Sequence, residues 1–401
     1  MAKDTRWTGQ HPRPVQRIEL KDGHTKRRII AVAVLLAIGL GCIGYALFQW
    51  LHRDGGWQEI TVSGSADLNC GSEFTLIYDV DEDSAVAEYK AVSTLYSQSA
   101  VEAYRLFDPA KEYPGLGNLW QLNAHPGEEV VLEPAVWNAL SLLEKAGRRE
   151  QYLAPLYAWY RSLYASTTEE GFNELDPEQH PDVMADYAAA AAFAGDPEMI
   201  SIQLGDGHRA TLQVAPAYKT FVEENTAGLY VDLGWMENAF RADYIAEAMA
   251  KAGYTKGILT SYDGFTRNID RRKGSFGYLM TALQDGKALA TGELTYGGDT
   301  AVVALRAYGL DTDPDDGRFY RTSDGKDRSL CIDVTDGRCR TSLHELYCFS
   351  QGGSCASLLT EVLPVWIADD AGDFAAALEA KGISVALWDG NKVQASDGLL
   401  N

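Results

Sequence analysis

The chain has 401 residues, 35 Lys and Arg against 57 Asp and Glu for a formal charge of −22, and 46% apolar residues including 9 Trp, 21 Tyr and 12 Phe. That length serves one large or two ordinary domains, and the aromatic content excludes a disordered, collagen-like or low-complexity chain. Residues 1–28 carry eight basic and three acidic side chains, leaving 27 basic against 54 acidic for the rest; a surface so acidic repels phosphate backbones and excludes nucleic acid as a partner.

Residues 29–51 run 23 positions without a charge, which at about 1.5 Å per residue crosses a hydrocarbon core of roughly 30 Å. Lys26, Arg27 and Arg28 abut its start and Trp50 marks its far end, so the positive-inside bias predicts a single-pass anchor in the cell membrane with the main domain extracytoplasmic. A cleaved signal peptide is the rival, but its apolar stretch is shorter and ends in small residues, whereas this one continues through Tyr45, Leu47 and Phe48. Lipid attachment at Cys42 is a second rival, weakened by Gly39 three residues before it. The expected organisation is a cytoplasmic tail 1–28, the anchor 29–51, a linker 52–58 and a domain 59–395.

The cysteines fit that address. Cys331, Cys339, Cys348 and Cys355 crowd into 25 residues, an even cluster that in an oxidising compartment predicts two disulfides. Zinc with His344 is the alternative, although structural zinc prefers closer cysteine pairs, and unpaired core cysteines are a third reading.

Along the domain, 59–80 alternates as two strands with a turn near Asn69-Cys70-Gly71, and 84–104 has helical spacing. Residues 109–117 read as a loop, and helices are expected over 134–146 and 152–164. Residues 165–226 are acidic and proline-punctuated, then alanine-rich, and read as a surface insertion, with a substrate lid as the alternative; Tyr187, Phe193 and Met199 would dock it on a core. A strand from Leu229, a helix over 240–252, a strand over 257–261, β-rich runs to Tyr347, a helix over 371–381 and a strand over 383–388 complete the pattern. Acidic neighbours such as Glu223-Glu224 and Asp369-Asp370 are too common here to nominate a glycosidase pair, although an acidic, aromatic cleft for carbohydrate or peptide is one reading of the composition.

Three stretches in order carry a more specific signal: Asp232-Leu233-Gly234-Trp235-Met236-Glu237-Asn238-Ala239-Phe240-Arg241-Ala242-Asp243; Leu330-Cys331-Ile332-Asp333-Val334-Thr335-Asp336-Gly337, preceded by Asp324-Gly325-Lys326; and Cys355-Ala356-Ser357-Leu358-Leu359-Thr360. They resemble the D-L-G-G-I-A-K-G-Y-A-A-D, H-I-I-D-P-x-T-G and A-D-A-L-S-T segments of the bacterial FAD:protein FMN transferase family. Cys70-Gly71-Ser72 and the stretch from Asn118 to Asn123 are weaker echoes, and the resemblance spans about residues 59–370. It implies an α+β fold of mixed, largely antiparallel sheets with flanking helices around a central cleft. It also implies a Mg²⁺-dependent transfer of FMN from FAD to a Thr or Ser of a partner protein, chemistry that needs a cation on the phosphoryl oxygens.

Position by position, most of the family's reaction set is replaced. Its histidine falls on Leu330, its metal-binding Asp on Ala356, its lysine on Asn238 and the next glycine on Ala239; Thr360 is the one side-chain metal ligand retained. A hard cation gains little from one hydroxyl and a carbonyl. Glu237 or Glu361 could rebuild a metal site, and Cys331 is a nucleophile candidate against oxidation as the commoner fate of such a thiol. The flavin-contacting candidates are Asp232, Asp243, Asp333 and Gly337, with Tyr262, Asp263 and Gly264 at a glycine turn. The expected function is a membrane-anchored relative of these transferases that has lost FMN transfer and serves as a flavin-binding or interaction module for a flavin-acceptor or other cell-surface protein; the alternative is an active transferase with a rebuilt metal site.

Overall fold

The computed structural model describes residues 30, 32–36, 38–40, 55–62, 73–165, 169–225, 228–284, 287–309, 319–321, 327–329, 331–339, 341, 343–368, 374–388 and 392–400. The chain divides into two compact units, 1–54 and 55–401. In the first, residues 30, 32–36 and 38–40 are helical and exposed; the rest of the expected span lies outside the described residues. Among the described residues no helix is long and apolar enough to cross a membrane.

In the second unit, one antiparallel sheet of eight strands forms the frame, in the order β1 (Gly56–Ile60), β2 (Phe74–Val80), β6 (Gly257–Ser261), β7 (Phe265–Asn268), β10 (Thr300–Arg306), β13 (Glu345–Gln351), β14 (Ile383–Trp388) and β15 (Val393–Ala395). Strands β3 (Glu129–Val131), β5 (Arg209–Val214) and β4 (Ile200–Gly205) make a second sheet, and β8 (Ser275–Gln284) with β9 (Lys287–Gly297) and β11 (Phe319–Arg321) with β12 (Asp327–Ser329) form two ribbons. The helices are α1 (Ala85–Phe107), α2 (Trp120–Ala124), α3 (Pro134–Lys145), α4 (Ala154–Tyr164), α5 (Glu169–Leu175), α6 (Pro181–Gly195), α7 (Pro216–Asn225), α8 (Glu237–Lys251), α9 (Cys355–Trp366) and α10 (Phe374–Glu379).

The period of two in a strand explains why β10 and β13 read as unbroken apolar runs. Ala301, Val303, Leu305, Leu346 and Cys348 enter the large core under α9 and α4, while Val302, Ala304, Tyr347 and Phe349 enter a second core beneath the β8–β9 ribbon. A sheet covered on both faces has no polar side to alternate with. A third core lies between β1, β2 and β6 and the facing sides of α1 and α8.

Two local expectations change. Residues 229–233 form no strand: Asn123 accepts from the N–H groups of Tyr230 and Val231 and donates to the Val231 carbonyl, and the Asp232 N–H donates to Gln151. One buried amide side chain does what a neighbouring strand would do. Residues 165–226, read as a surface insertion, supply α6, β4 and β5, whose Met184, Tyr187, Ala190, Ile200 and Leu212 are buried in the large core.

The expected disulfides are also corrected: Cys331, Cys339, Cys348 and Cys355 carry thiols. Cys348 faces the core from β13, and the Cys355 Sγ donates to the Thr266 carbonyl at 3.3 Å. Cys339 lies across an isolated bridge from Ile332, one position out of register with Cys331. Among the described residues no group of His, Cys, Asp or Glu could hold a metal ion, which leaves the zinc alternative without support there.

One carboxylate joins three elements. Asp243 of α8 accepts from the Cys355 and Ala356 N–H groups at the start of α9, at 2.9 and 2.8 Å, and pairs with Arg267 of β7. It satisfies two orphan donors and the positive end of the α9 dipole, assisted by Ser354, whose hydroxyl accepts from Ser357. Removing one partner of a buried pair leaves the other charge uncompensated, so Asp243→Ala is expected to cost about 3–5 kcal/mol in urea unfolding; a loss below about 1 kcal/mol would remove Asp243 as the tie.

Candidate functional site

Asp232 opens the site. Its carboxylate accepts from the Gly234 N–H at 2.7 Å and from Arg161 at 2.6 Å, closing a turn that carries the chain into α8. Gly234 has φ +56°, and a Cβ there would lie 2.5 Å from the Tyr157 ring, so both the backbone and the packing require glycine. Trp235 follows from the turn, and Glu237, Asn238 and Arg241 project from the first turn and a half of α8.

These residues border a cleft of about 290 Å³, which Glu73, Tyr104, Asp108, Tyr262 and Asp263 complete from the other side. The volume sits near the floor of the roughly 300–1,000 Å³ typical of small-molecule sites. A smaller cleft of about 30 Å³, lined by Leu305, Arg306, Phe319, Ser329 and Cys331, shares Trp235 and Asp263 with it.

The electrostatics of the main cleft are set by a clamp on Arg241, which is only 5% exposed. Its guanidinium donates to Glu73 at 2.8 Å, to Glu237 at 2.6 Å and to the Asn238 Oδ1 at 3.2 Å, and lies 4.7 Å from the Tyr104 ring centroid. Asn238 in turn donates to Asp263 at 3.1 Å. Five carboxylates, those of Glu73, Asp108, Asp232, Glu237 and Asp263, face two guanidiniums, Arg161 and Arg241. Burial therefore outweighs the stabilisation by Arg241 and pushes Glu237 up to about 8, with Asp232 adding to the rise. Glu73 is raised too, by burial first, against the opposing pull of Arg241.

Of the residues singled out in the sequence, Asp232, Glu237, Asn238, Tyr262 and Asp263 line this cleft together. Asp243 lies instead at the start of α9. Gly264, at φ +103°, makes the tight β6–β7 turn against the Ala304 carbonyl, which a Cβ would meet at 2.0 Å. Asp333 accepts from the N–H and hydroxyl of Thr335, and Gly337, at φ +75°, packs on Tyr187 and accepts from the Tyr160 hydroxyl. Leu330 lies outside the described residues. Glu73, which clamps Arg241, and Arg161, which pairs with Asp232, carried no sequence signal, because they reach the cleft from the residue before β2 and from α4, distant in the chain.

A hard cation does not fit the donors at the Ala356–Thr360 segment. Ala356 offers a methyl group, and the Thr360 hydroxyl donates to the Ser357 carbonyl of its own helix at 2.7 Å. Glu237 is held by Arg241, and Glu361 by Lys381. A dinucleotide is no better served in its pyrophosphate, since both guanidiniums already meet carboxylates, although Trp235, Tyr104 and Tyr262 supply the aromatic surface a ring system needs.

Comparison with solved structures places the architecture. The chain shares its fold with an ApbE protein from Thermotoga maritima (TM-score 0.56, 12% identity, 85% of this chain and 97% of that one). The flavin transferase ApbE from Vibrio cholerae matches with TM-score 0.54 and 17% identity over 85% and 98% of the two chains. The apo flavinyl transferase ApbE from Pseudomonas stutzeri matches with TM-score 0.52 and 14% identity over 86% and 95%. No protein-family model and no curated protein sequence matches the chain.

The raised Glu237 has a signed consequence. Its folded value of about 8 lies above the usual 4.5, so between those values the folded chain keeps a proton the unfolded chain has released. The stability this group contributes is complete below the lower value and is lost as pH rises through the upper one. Glu237→Gln removes the titration. The unfolding free energy of the wild type minus that of the variant is expected to fall across this interval and then level off; a flat difference would show that Glu237 titrates normally.

Proposed function

From the premise that this chain carries the flavin-transferase fold, we propose that it is a flavin-binding or interaction module, anchored by residues 29–51 with its main domain outside the cytoplasm, that does not perform Mg²⁺-dependent FMN transfer. The observation that carries the reading is the clamp: Glu237, the carboxylate that could have rebuilt the metal site, is committed to Arg241 at 2.6 Å. The retained ligand, Thr360, bonds to Ser357, and Ala356 has no donor. When bound, Mg²⁺ would neutralise the phosphoryl oxygens during transfer; the Ala356–Thr360 segment offers no carboxylate with which to hold it there.

What the residues do support is binding. Trp235, Tyr104 and Tyr262 offer aromatic surface for a flavin ring, and Asn238 and Arg241 are fixed in one arrangement by their carboxylate partners. The resemblance to flavin transferases supports a flavin-acceptor or other cell-surface protein as the partner. The uncharged run of 23 residues after Lys26-Arg27-Arg28 supports the anchor.

Two experiments test this. The full chain in detergent, incubated with FAD, Mg²⁺ and a flavin-acceptor protein, is expected to leave the acceptor without covalent fluorescence on a denaturing gel; a labelled acceptor refutes the loss of transfer. In cells, the chain is expected in the membrane fraction after carbonate washing, with the main domain cut by protease added outside. Recovery in the soluble fraction refutes the anchor.

A further inference from the structure

We infer that Glu345 is a proton-operated latch for the far end of the β8–β9 ribbon: its neutral carboxyl keeps that end against the main sheet, and its ionisation favours opening to solvent.

The ribbon is a two-stranded sheet that shares no ladder with the eight-stranded frame, and such a hairpin is at best marginally stable alone. Side chains hold it down. Met280, Leu294 and Tyr296 pack over Val302, Ala304 and Tyr347. At Thr281, where the register shifts, the N–H donates to the Tyr347 hydroxyl oxygen at 2.9 Å, that hydroxyl donates to the Thr281 carbonyl at 2.9 Å, and the Tyr308 hydroxyl lies 3.5 Å from Oγ1. The far end, Ala282–Gln284 paired with Lys287–Leu289, lies beyond these bonds.

Glu345 opens β13 and is 2% exposed. The period of two puts it on the face of Tyr347 and Phe349, which the ribbon covers. Its Oε2 is buried without a hydrogen-bond partner. Three donors stand near the carboxyl: the Tyr308 hydroxyl and the N–H groups of Leu283 on β8 and Trp388 on β14. Tyr347 and Tyr278 belong to the same cluster, and Arg306, across the ladder from Glu345, acts on both tyrosines and on Tyr308. No cation pairs with Glu345 among the described residues, and His344, Lys287 and Lys392 nearby are exposed. Tyr308 faces both Thr281 and Glu345, so charge on the carboxyl is felt at the last polar attachment of the ribbon.

Burial outweighs the three donors and raises Glu345 from 4.5 to about 7. Lifting the end takes Leu283 away and admits water, where the carboxyl regains its ordinary acidity. Between those two values opening releases a proton, so the closed end is most secure below the lower value and loses that security as pH rises through the upper one. Above it both states are ionised and the loss is complete.

Hydrogen–deuterium exchange of the full chain in detergent, corrected for the intrinsic pH dependence of amide exchange, reads this opening. Protection of the Thr281–Gln284 amides is expected to fall at least about tenfold between about pH 5.5 and 7.5 and to level off above, while that of β2 falls less. Glu345→Gln is expected to abolish the fall in the ribbon. Tyr308→Phe removes a donor that favours the charged form, so the levelling-off is expected at higher pH; it serves as the second variant should Glu345→Gln lose its near-ultraviolet dichroism. Ribbon protection indifferent to pH, or falling as far in Glu345→Gln as in the wild type, overturns the latch, as does a levelling-off that Tyr308→Phe leaves unmoved.

Discussion

The position of Asp243 is the constraint on which the domain's interior depends. A single carboxylate cannot be buried cheaply, and here it is stabilised by two backbone N–H groups of α9 and the guanidinium of Arg267. That arrangement fixes α8 against β7 and against the start of α9 at one point. Because the cleft residues Glu237, Asn238 and Arg241 are on the same helix, within two turns before Asp243, their distance from the sheet follows from it. The carboxylate therefore acts as a geometric datum for a site it does not line.

Within the cleft, charge is arranged differently. Around Asp243 the donors match the acceptor; around Arg241 two glutamates and an asparagine compete for one cation, and burial lifts both glutamates above their usual range. Such a clamp removes the freedom of Arg241 and spends its positive charge internally. Phosphoryl transfer needs the reverse, cations with unused coordination facing the developing charge. Both guanidiniums that line the cleft are thus engaged by carboxylates.

How much of this was legible in the sequence depended on whether a residue's partner is near in the chain. The strand at β14, the helices α1, α3 and α8 and the resemblance around Asp232, Asp333 and Thr360 could all be read, because hydrophobic period and short motifs are local. The stretch 229–233 looked like a strand because its composition suits one; that the N–H groups of Tyr230 and Val231 bond to Asn123, more than a hundred residues away, has no local trace. The spacing of Cys331, Cys339, Cys348 and Cys355 suggested disulfides, but spacing carries no information on which way each side chain points, and β13 turns Cys348 into the core. Likewise Glu73 and Arg161 enter the cleft from separate elements, so the clamp could be found only once the chain was folded.

The division between retained and replaced positions has a physical basis. Asp232, Gly234, Asp243 and Gly337, which match the transferase motifs, make hydrogen bonds or close packing within the chain: Asp232 to Gly234 and Arg161, Asp243 to α9, Gly234 on Tyr157 and Gly337 on Tyr187. Replacing any of them strands a buried group or inserts a Cβ where backbone or ring atoms lie. Ala356 and Asn238 sit where the resembled motifs place groups whose partners are a metal or a substrate, so the folded chain alone makes no demand for a carboxylate or an ammonium there. The internal bonds of the frame make no use of the side chains at Ala356 and Asn238, and Arg241 and Arg161 partly compensate the acidic lining of the cleft from within.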